Sequence, residues 1–148
     1  MADRPSQPFV DGYLAYLLAR ASHLISGEFH RQVAASGLSI PEWRVLATLA
    51  DREECTIGTL AEITLTKQPT LTKLIDRMAA DGLVARRPGL EDRRHALISI
   101  TARGREVVLP LLAEAAQHEQ AVLEDFGPQQ GALLKETLRK LIALHTQR

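Results

Sequence analysis

Residues 56–101 read TIGTLAEITLTKQPTLTKLIDRMAADGLVARRPGLEDRRHALISIT, and the parsing of this stretch decides the fold. Thr56 is placed to cap a short helix whose Ile57, Leu60 and Ala61 face inward. Thr64, Leu65 and Thr66 form a brief connection. A second helix starts near Lys67, Gln68 and Pro69. Its apolar Leu71, Leu74, Ile75 and Met78 fall at i, i+3, i+4 and i+7, which is one face of an α-helix. Asp81 and Gly82 are a C-terminal stop. Two β-prone runs, residues 83–87 and 96–100, then flank PGLED (88–92), a pattern that predicts a hairpin.

Outward from this stretch the pattern is helical on both sides. Residues 1–8 hold two prolines and no apolar period, and read as a loose arm. From Phe9 onward Tyr13, Leu14, Leu17, Leu18, Ala21, Leu24, Ile25 and Phe29 recur at three- and four-residue steps, ending at Ser36 and Gly37. Ser39, Pro41 and Glu42 make a capping-box start for a helix through Trp43, Val45, Leu46 and Leu49. Downstream, Thr101 caps a long helix carrying Val107, Val108, Leu111, Leu112, Ala115, Val122, Leu123 and Phe126. Gly127 and Pro128 break it, and a last helix carries Leu133, Leu134, Leu138, Leu141 and Ile142. The fold class that follows is mainly α with a small β-hairpin wing. It is a winged helix-turn-helix (residues 40–101) between N- and C-terminal helices (9–35 and 103–146), within a single domain spanning 1–148.

Composition narrows the function classes. The 148 residues are 45% hydrophobic, 24% charged and 4% aromatic, ordinary values for one folded domain. The longest apolar runs, residues 13–19 and 107–113, fall far short of the roughly 20 residues a membrane helix needs. The first eight residues contain no apolar signal core. The single cysteine, Cys55, offers neither an internal disulfide nor a metal-ligand cluster. The expectation is a cytoplasmic protein with no membrane association. The net charge of zero hides a segregation: residues 1–63 carry five Lys/Arg against eight Asp/Glu, residues 64–100 seven against four, and residues 101–148 six of each. One locally basic segment can present a footprint to phosphates.

The second helix of the quoted stretch turns Pro69, Thr70, Lys73, Asp76 and Arg77 away from its apolar face. Short hydroxyls (Thr70, Thr72) suit close approach to bases, Gln68 can pair an adenine edge, and Lys67, Lys73 and Arg77 can reach guanine or phosphate. Composition alone fits a solvated helix face more readily, and Asp76 fits that description better. The hairpin is more specific. It puts Arg86, Arg87, Arg93 and Arg94 on one small wing, and a narrow minor groove attracts arginine. Asp92, two positions before Arg94, can hold its guanidinium extended by a bidentate pair.

These residues resemble the winged-helix domain of MarR-type transcriptional regulators. The resemblance rests on QPTLTKLIDRM (68–78), DGLV (81–84) with Arg86, DRR (92–94), and LISIT (97–101) with Gly104; the flanking helices and the total length match as well. It implies an obligate homodimer whose first and last two helices interleave, a recognition helix at residues 67–80, and Arg94 inserted into the minor groove with Asp92 bracing it. The chain departs from many relatives in having Lys73 where they have arginine. Lysine lacks the guanidinium fork, so a phosphate contact fits it better than a bidentate guanine contact.

The resemblance also implies an effector crevice for small aromatic or phenolic acids, for which Tyr13, Tyr16, Arg20, His23 and Trp43 are the candidates here. Tyr13, Tyr16 and Trp43 read more readily as core or dimer-interface residues. Peroxide-sensing relatives use a cysteine in the first helix, which this chain lacks, so Cys55 reads as a passive small residue. The five histidines are scattered without metal-ligand spacing, and no Gly-rich phosphate loop or activated nucleophile stands out. The expectation is therefore no enzyme, no cofactor and no metal. The chain reads as a ligand-responsive repressor that binds a near-palindromic double-stranded operator as a homodimer. The rival from another class is a winged-helix module that contacts only protein.

Overall fold

The computed structural model describes residues 7–89 and 96–146. In chain order the elements are α1 (Phe9–Gly12), α2 (Leu14–Ala35), α3 (Ile40–Ala50), β1 (Cys55–Thr56), α4 (Ile57–Thr64), α5 (Gln68–Ala80), β2 (Val84–Arg87), β3 (Leu97–Ile100), α6 (Ala102–Glu124) and α7 (Gly127–Thr146). The chain divides into two compact units, one through Leu112 and one from Ala113. The mainly helical fold with a small antiparallel wing is the one the sequence predicts.

The single helix expected from Phe9 is instead two. Tyr13 adopts an extended backbone (φ −80°, ψ 118°) between α1 and α2, and its N–H donates back to the Val10 carbonyl at 3.2 Å. Phe9 and Tyr13 stack with centroids 5.0 Å apart. A four-residue turn preserves the spacing of a continuous helix, so the apolar period reads straight through the break.

The expected start of α3 is present in full. The Ser39 N–H donates to the Glu42 carboxylate at 3.0 Å and the Glu42 N–H to the Ser39 hydroxyl at 3.3 Å. Thr56 caps α4 by accepting from the Thr59 N–H at 3.1 Å. The helix-turn-helix corner turns on Leu65, which holds a left-handed conformation (φ 58°) with 83% of its surface exposed. At the far end of α5, Gly82 (φ +78°) lets its own N–H reach the Ala79 carbonyl and the Leu83 N–H reach Met78, both at 3.0 Å.

The wing is one strand richer than the sequence suggested. A three-stranded antiparallel sheet has the order β1-β3-β2, with Cys55 opposite Ile98 and Thr56 opposite Leu97, and with Val84 opposite Ile100 through to Arg87 opposite Leu97. Two residues carry no readable alternation, which is why β1 escapes a period-2 reading. Thr101 joins β3 to α6. Its N–H donates to the Leu83 carbonyl (3.1 Å), its hydroxyl donates to Gly82 (2.6 Å), and the same oxygen accepts from the Gly104 N–H (3.0 Å).

The core of the first unit is built where these elements meet. Val33, Val45, Leu46, Leu49, Leu60, Leu71, Ile75, Met78, Ile98 and Val108 have no exposed surface. The long helices are different. In α2 only Phe29 and Val33 are buried, and Leu14, Leu17, Leu18, Leu24 and Ile25 stay exposed. In α7 only Gly131 is buried, against Leu123, while Leu133, Leu134, Ile142 and Leu144 stay exposed. Among the described residues no helix is long and apolar enough to cross a membrane.

Candidate nucleic-acid interface

The helix expected to face DNA is α5. Leu71, Leu74, Ile75 and Met78 anchor it in the core, so the opposite side of the same cylinder faces out. Lys67, the N-cap, makes no side-chain cap hydrogen bond, so the first-turn N–H groups lack that partner. Such a helix start favours anionic groups. Lys67, Gln68, Pro69, Thr70, Lys73, Asp76 and Arg77 are exposed. Pro69, Thr70, Lys73 and Arg77 line one hollow of about 490 Å³ together with Pro41, Thr66 and Leu74. Thr72 is half-buried, and its hydroxyl donates to the Gln68 carbonyl at 3.0 Å.

The ascending strand of the wing carries two arginines, both already paired. Arg86 Nη1 donates to Asp76 Oδ1 of α5 at 2.5 Å. Arg87 holds Glu54, just before β1, in a two-pronged pair: Nε to Oε1 at 2.5 Å and Nη2 to Oε2 at 2.6 Å. This fork geometry is the strong form of the arginine–carboxylate bond. The Arg87 hydrogen bond draws the Glu54 carboxyl below the usual glutamate range; desolvation opposes it, and the arginine's charge adds to the lowering. The same bond raises the Arg87 guanidinium above its usual range.

These pairs explain what composition left as a misfit. Asp76, an acid on the exposed face of α5, is matched by Arg86. Glu54 carries no local sequence signal. It lies 33 residues from Arg87 and becomes its neighbour only because β1 pairs with β3. Arg93, Arg94 and Asp92 of the wing tip lie outside the described residues.

The aromatic candidates sit in two places. Arg20 Nη1 donates to the Tyr16 hydroxyl at 3.0 Å on α2, where His23 is exposed. Tyr13 stacks on Phe9, and Trp43 of α3 packs on Phe29 with centroids 5.2 Å apart. Phe29 lies about 20 Å along the helix from Tyr16, at 1.5 Å per residue. His30, near Trp43's end of α2, has its pKa lowered by burial first, then by Arg44 and His23. Cys55 is buried in β1, and burial pushes its thiol pKa up, away from reactive thiolate. Among the described residues no group of three or more His, Cys, Asp or Glu could hold a metal ion.

Comparison with known proteins agrees with this fold. Residues 36–95 match the model of the MarR family. A MarR family transcriptional regulator from Silicibacter pomeroyi, of known crystal structure, is 39% identical, with a TM-score of 0.82 over 93% of this chain and 98% of that one. The HTH-type transcriptional repressor IacR of Pseudomonas putida is 35% identical over 60% of this chain and 53% of its own. The transcriptional activatory protein BadR of Rhodopseudomonas palustris is 34% identical over 64% of this chain and 55% of its own. The matched stretch thus spans about half the length of these two curated relatives. Sequence, fold and comparison converge, and the chain belongs to the MarR family of transcriptional regulators.

Proposed function

We propose that the protein binds double-stranded DNA as a homodimer and acts as a ligand-responsive repressor at a near-palindromic operator. The observation that carries this reading is the exposed hollow of α5, lined by Thr70, Lys73 and Arg77 and rooted beside the wing by the Asp76–Arg86 pair. In this reading α5 enters a major groove. Gln68 and Thr70 meet base edges, Thr72 lies at the flank, and Lys67, Lys73 and Arg77 meet phosphate or guanine. The wing tip follows the neighbouring minor groove, where Arg94, oriented by Asp92 and flanked by Arg93, is the reader.

The second copy is argued from what a single chain leaves uncovered. The exposed leucines and isoleucines of α2 and α7 form apolar stripes of a kind that marks protein–protein contact. Residues 9–35 and 103–146 are therefore assigned to dimerisation, and 40–101 to DNA. Two recognition helices held at one spacing demand two half-sites, so a ligand that alters the spacing releases the operator. The Tyr16–Arg20 pair supplies a hydroxyl and a guanidinium of the kind that holds a small aromatic acid. A repressor acts by occupying the polymerase's site.

Selection of bound sequences from a random DNA pool tests the reading. Recovery of a near-palindrome supports it. Unchanged mobility of mixed genomic fragments at low salt would instead favour a module that contacts only protein.

A further inference from the structure

The wing base is electrostatically self-contained. Arg86 and Arg87 sit on a strand that adjoins the recognition helix, and each is matched by a carboxylate from outside that strand, Asp76 of α5 and Glu54 just before β1. Both pairs are open to solvent: the side chains of Arg86 and Asp76 are 39% and 60% exposed, those of Arg87 and Glu54 49% and 31%. Pairs this exposed contribute little to the fold. Their position beside α5 is what gives them a role. An unpaired guanidinium there would reach any phosphate that came near, and contacts of that kind add affinity for all DNA without regard to sequence.

We infer that Asp76 and Glu54 are specificity-determining residues, which withhold Arg86 and Arg87 from the DNA backbone so that discrimination is not diluted by sequence-blind contacts. This rests on the DNA-binding reading above. A phosphate that took Arg86 would strand the Asp76 carboxylate on the face of α5 turned to a polyanion. The like-charge repulsion opposes the exchange, and Arg86 stays with Asp76. The bidentate grip of Glu54 does the same for Arg87, with two hydrogen bonds to break rather than one. Among the described residues, the cations left to engage DNA are then Lys67, Lys73 and Arg77 of the α5 face, which are exposed.

The test uses the full-length protein and two duplexes of equal length and composition: one selected by the wild type from a random pool, the other scrambled. Affinities are measured across a salt series. Asp76→Asn and Glu54→Gln should each bind the scrambled duplex more tightly and steepen its salt dependence by about one unit per bound chain. The ratio of selected to scrambled affinity should fall about tenfold, because the added contact is blind to sequence. Adding Arg86→Gln to Asp76→Asn removes the released cation, so slope and ratio should return toward wild type. An unchanged ratio in both single variants would overturn the inference. So would a double variant that keeps the lowered ratio, since the loss would then come from wing geometry and not from released charge. Equal weakening on both duplexes, with helix content intact, would also overturn it. Failure of the wild type itself to prefer the selected duplex would remove the DNA-binding reading, and is distinguishable from all of these.

Discussion

Gly104, in the first turn of α6, lies so close to the carbonyl oxygen of Leu83 that a side chain of any size at residue 104 collides with backbone. The same Leu83 carbonyl accepts from the Thr101 N–H at 3.1 Å. Leu83 therefore ties the end of α5, through its N–H to Met78, to the start of α6, through its carbonyl. Gly104→Ala should destabilise the protein by about 3 kcal/mol, because the obstacle is backbone and cannot swing aside. Denaturant unfolding of the variant, with a midpoint equal to wild type, would show that this junction is looser than described.

Leu65 presents the opposite case, a residue whose backbone the sequence does not suit. A left-handed conformation is costly for a side chain with a Cβ, and Leu65 makes no compensating burial. Leu65→Gly should raise stability by up to about 1 kcal/mol, the relieved strain being partly offset by the greater unfolded-state entropy of glycine. Leu65→Val, β-branched, should lower it. A glycine variant less stable than wild type would mean that the exposed leucine makes a contact outside the single chain.

Much of this is legible in the sequence. Ser39, Glu42, Thr56 and Thr101 cap the helices they were expected to cap, since capping depends on residues three positions apart. The apolar periods of α5 and of the helices around it are local for the same reason. What escaped was non-local. The pairing of β1 with β3 and of Glu54 with Arg87 spans more than thirty residues, and no period connects such positions. The break at Tyr13 escaped because a turn and a helix share a four-residue spacing.

The apolar stripes of the long helices predict a dimer. Leu17→Asp and Leu138→Asp should each shift the protein to monomer in analytical ultracentrifugation, because a carboxylate buried in an interface costs several kcal/mol as an order of magnitude. DNA binding should fall with it. A stable wild-type monomer at micromolar concentration would contradict the assignment.

Acid should loosen the wing base through Glu54. Its carboxyl titrates below the usual value of 4.5 in the folded protein, so the folded state holds fewer protons than the unfolded one as the pH drops past that value. The contribution of the Glu54–Arg87 pair is complete above about pH 4.5 and is lost as the pH falls through the lowered folded value. The pair is solvent-exposed and the component correspondingly small, so the stability of Glu54→Gln should decline only slightly less steeply than wild type below that pH. Parallel declines would place the carboxylate elsewhere than on Arg87.

The most direct test of α5 and the wing as joint readers is methylation footprinting on a duplex selected by the protein. Dimethyl sulfate modifies guanine N7 in the major groove and adenine N3 in the minor groove, so it reports the two contacts separately. Bound protein should protect guanine N7 in two half-sites about one helical turn apart, with adenine N3 protected on their flanks. Arg94→Ala should lose the adenine protection and keep the guanine protection. A single protected half-site, or flanking adenines as reactive as in free DNA, would contradict it.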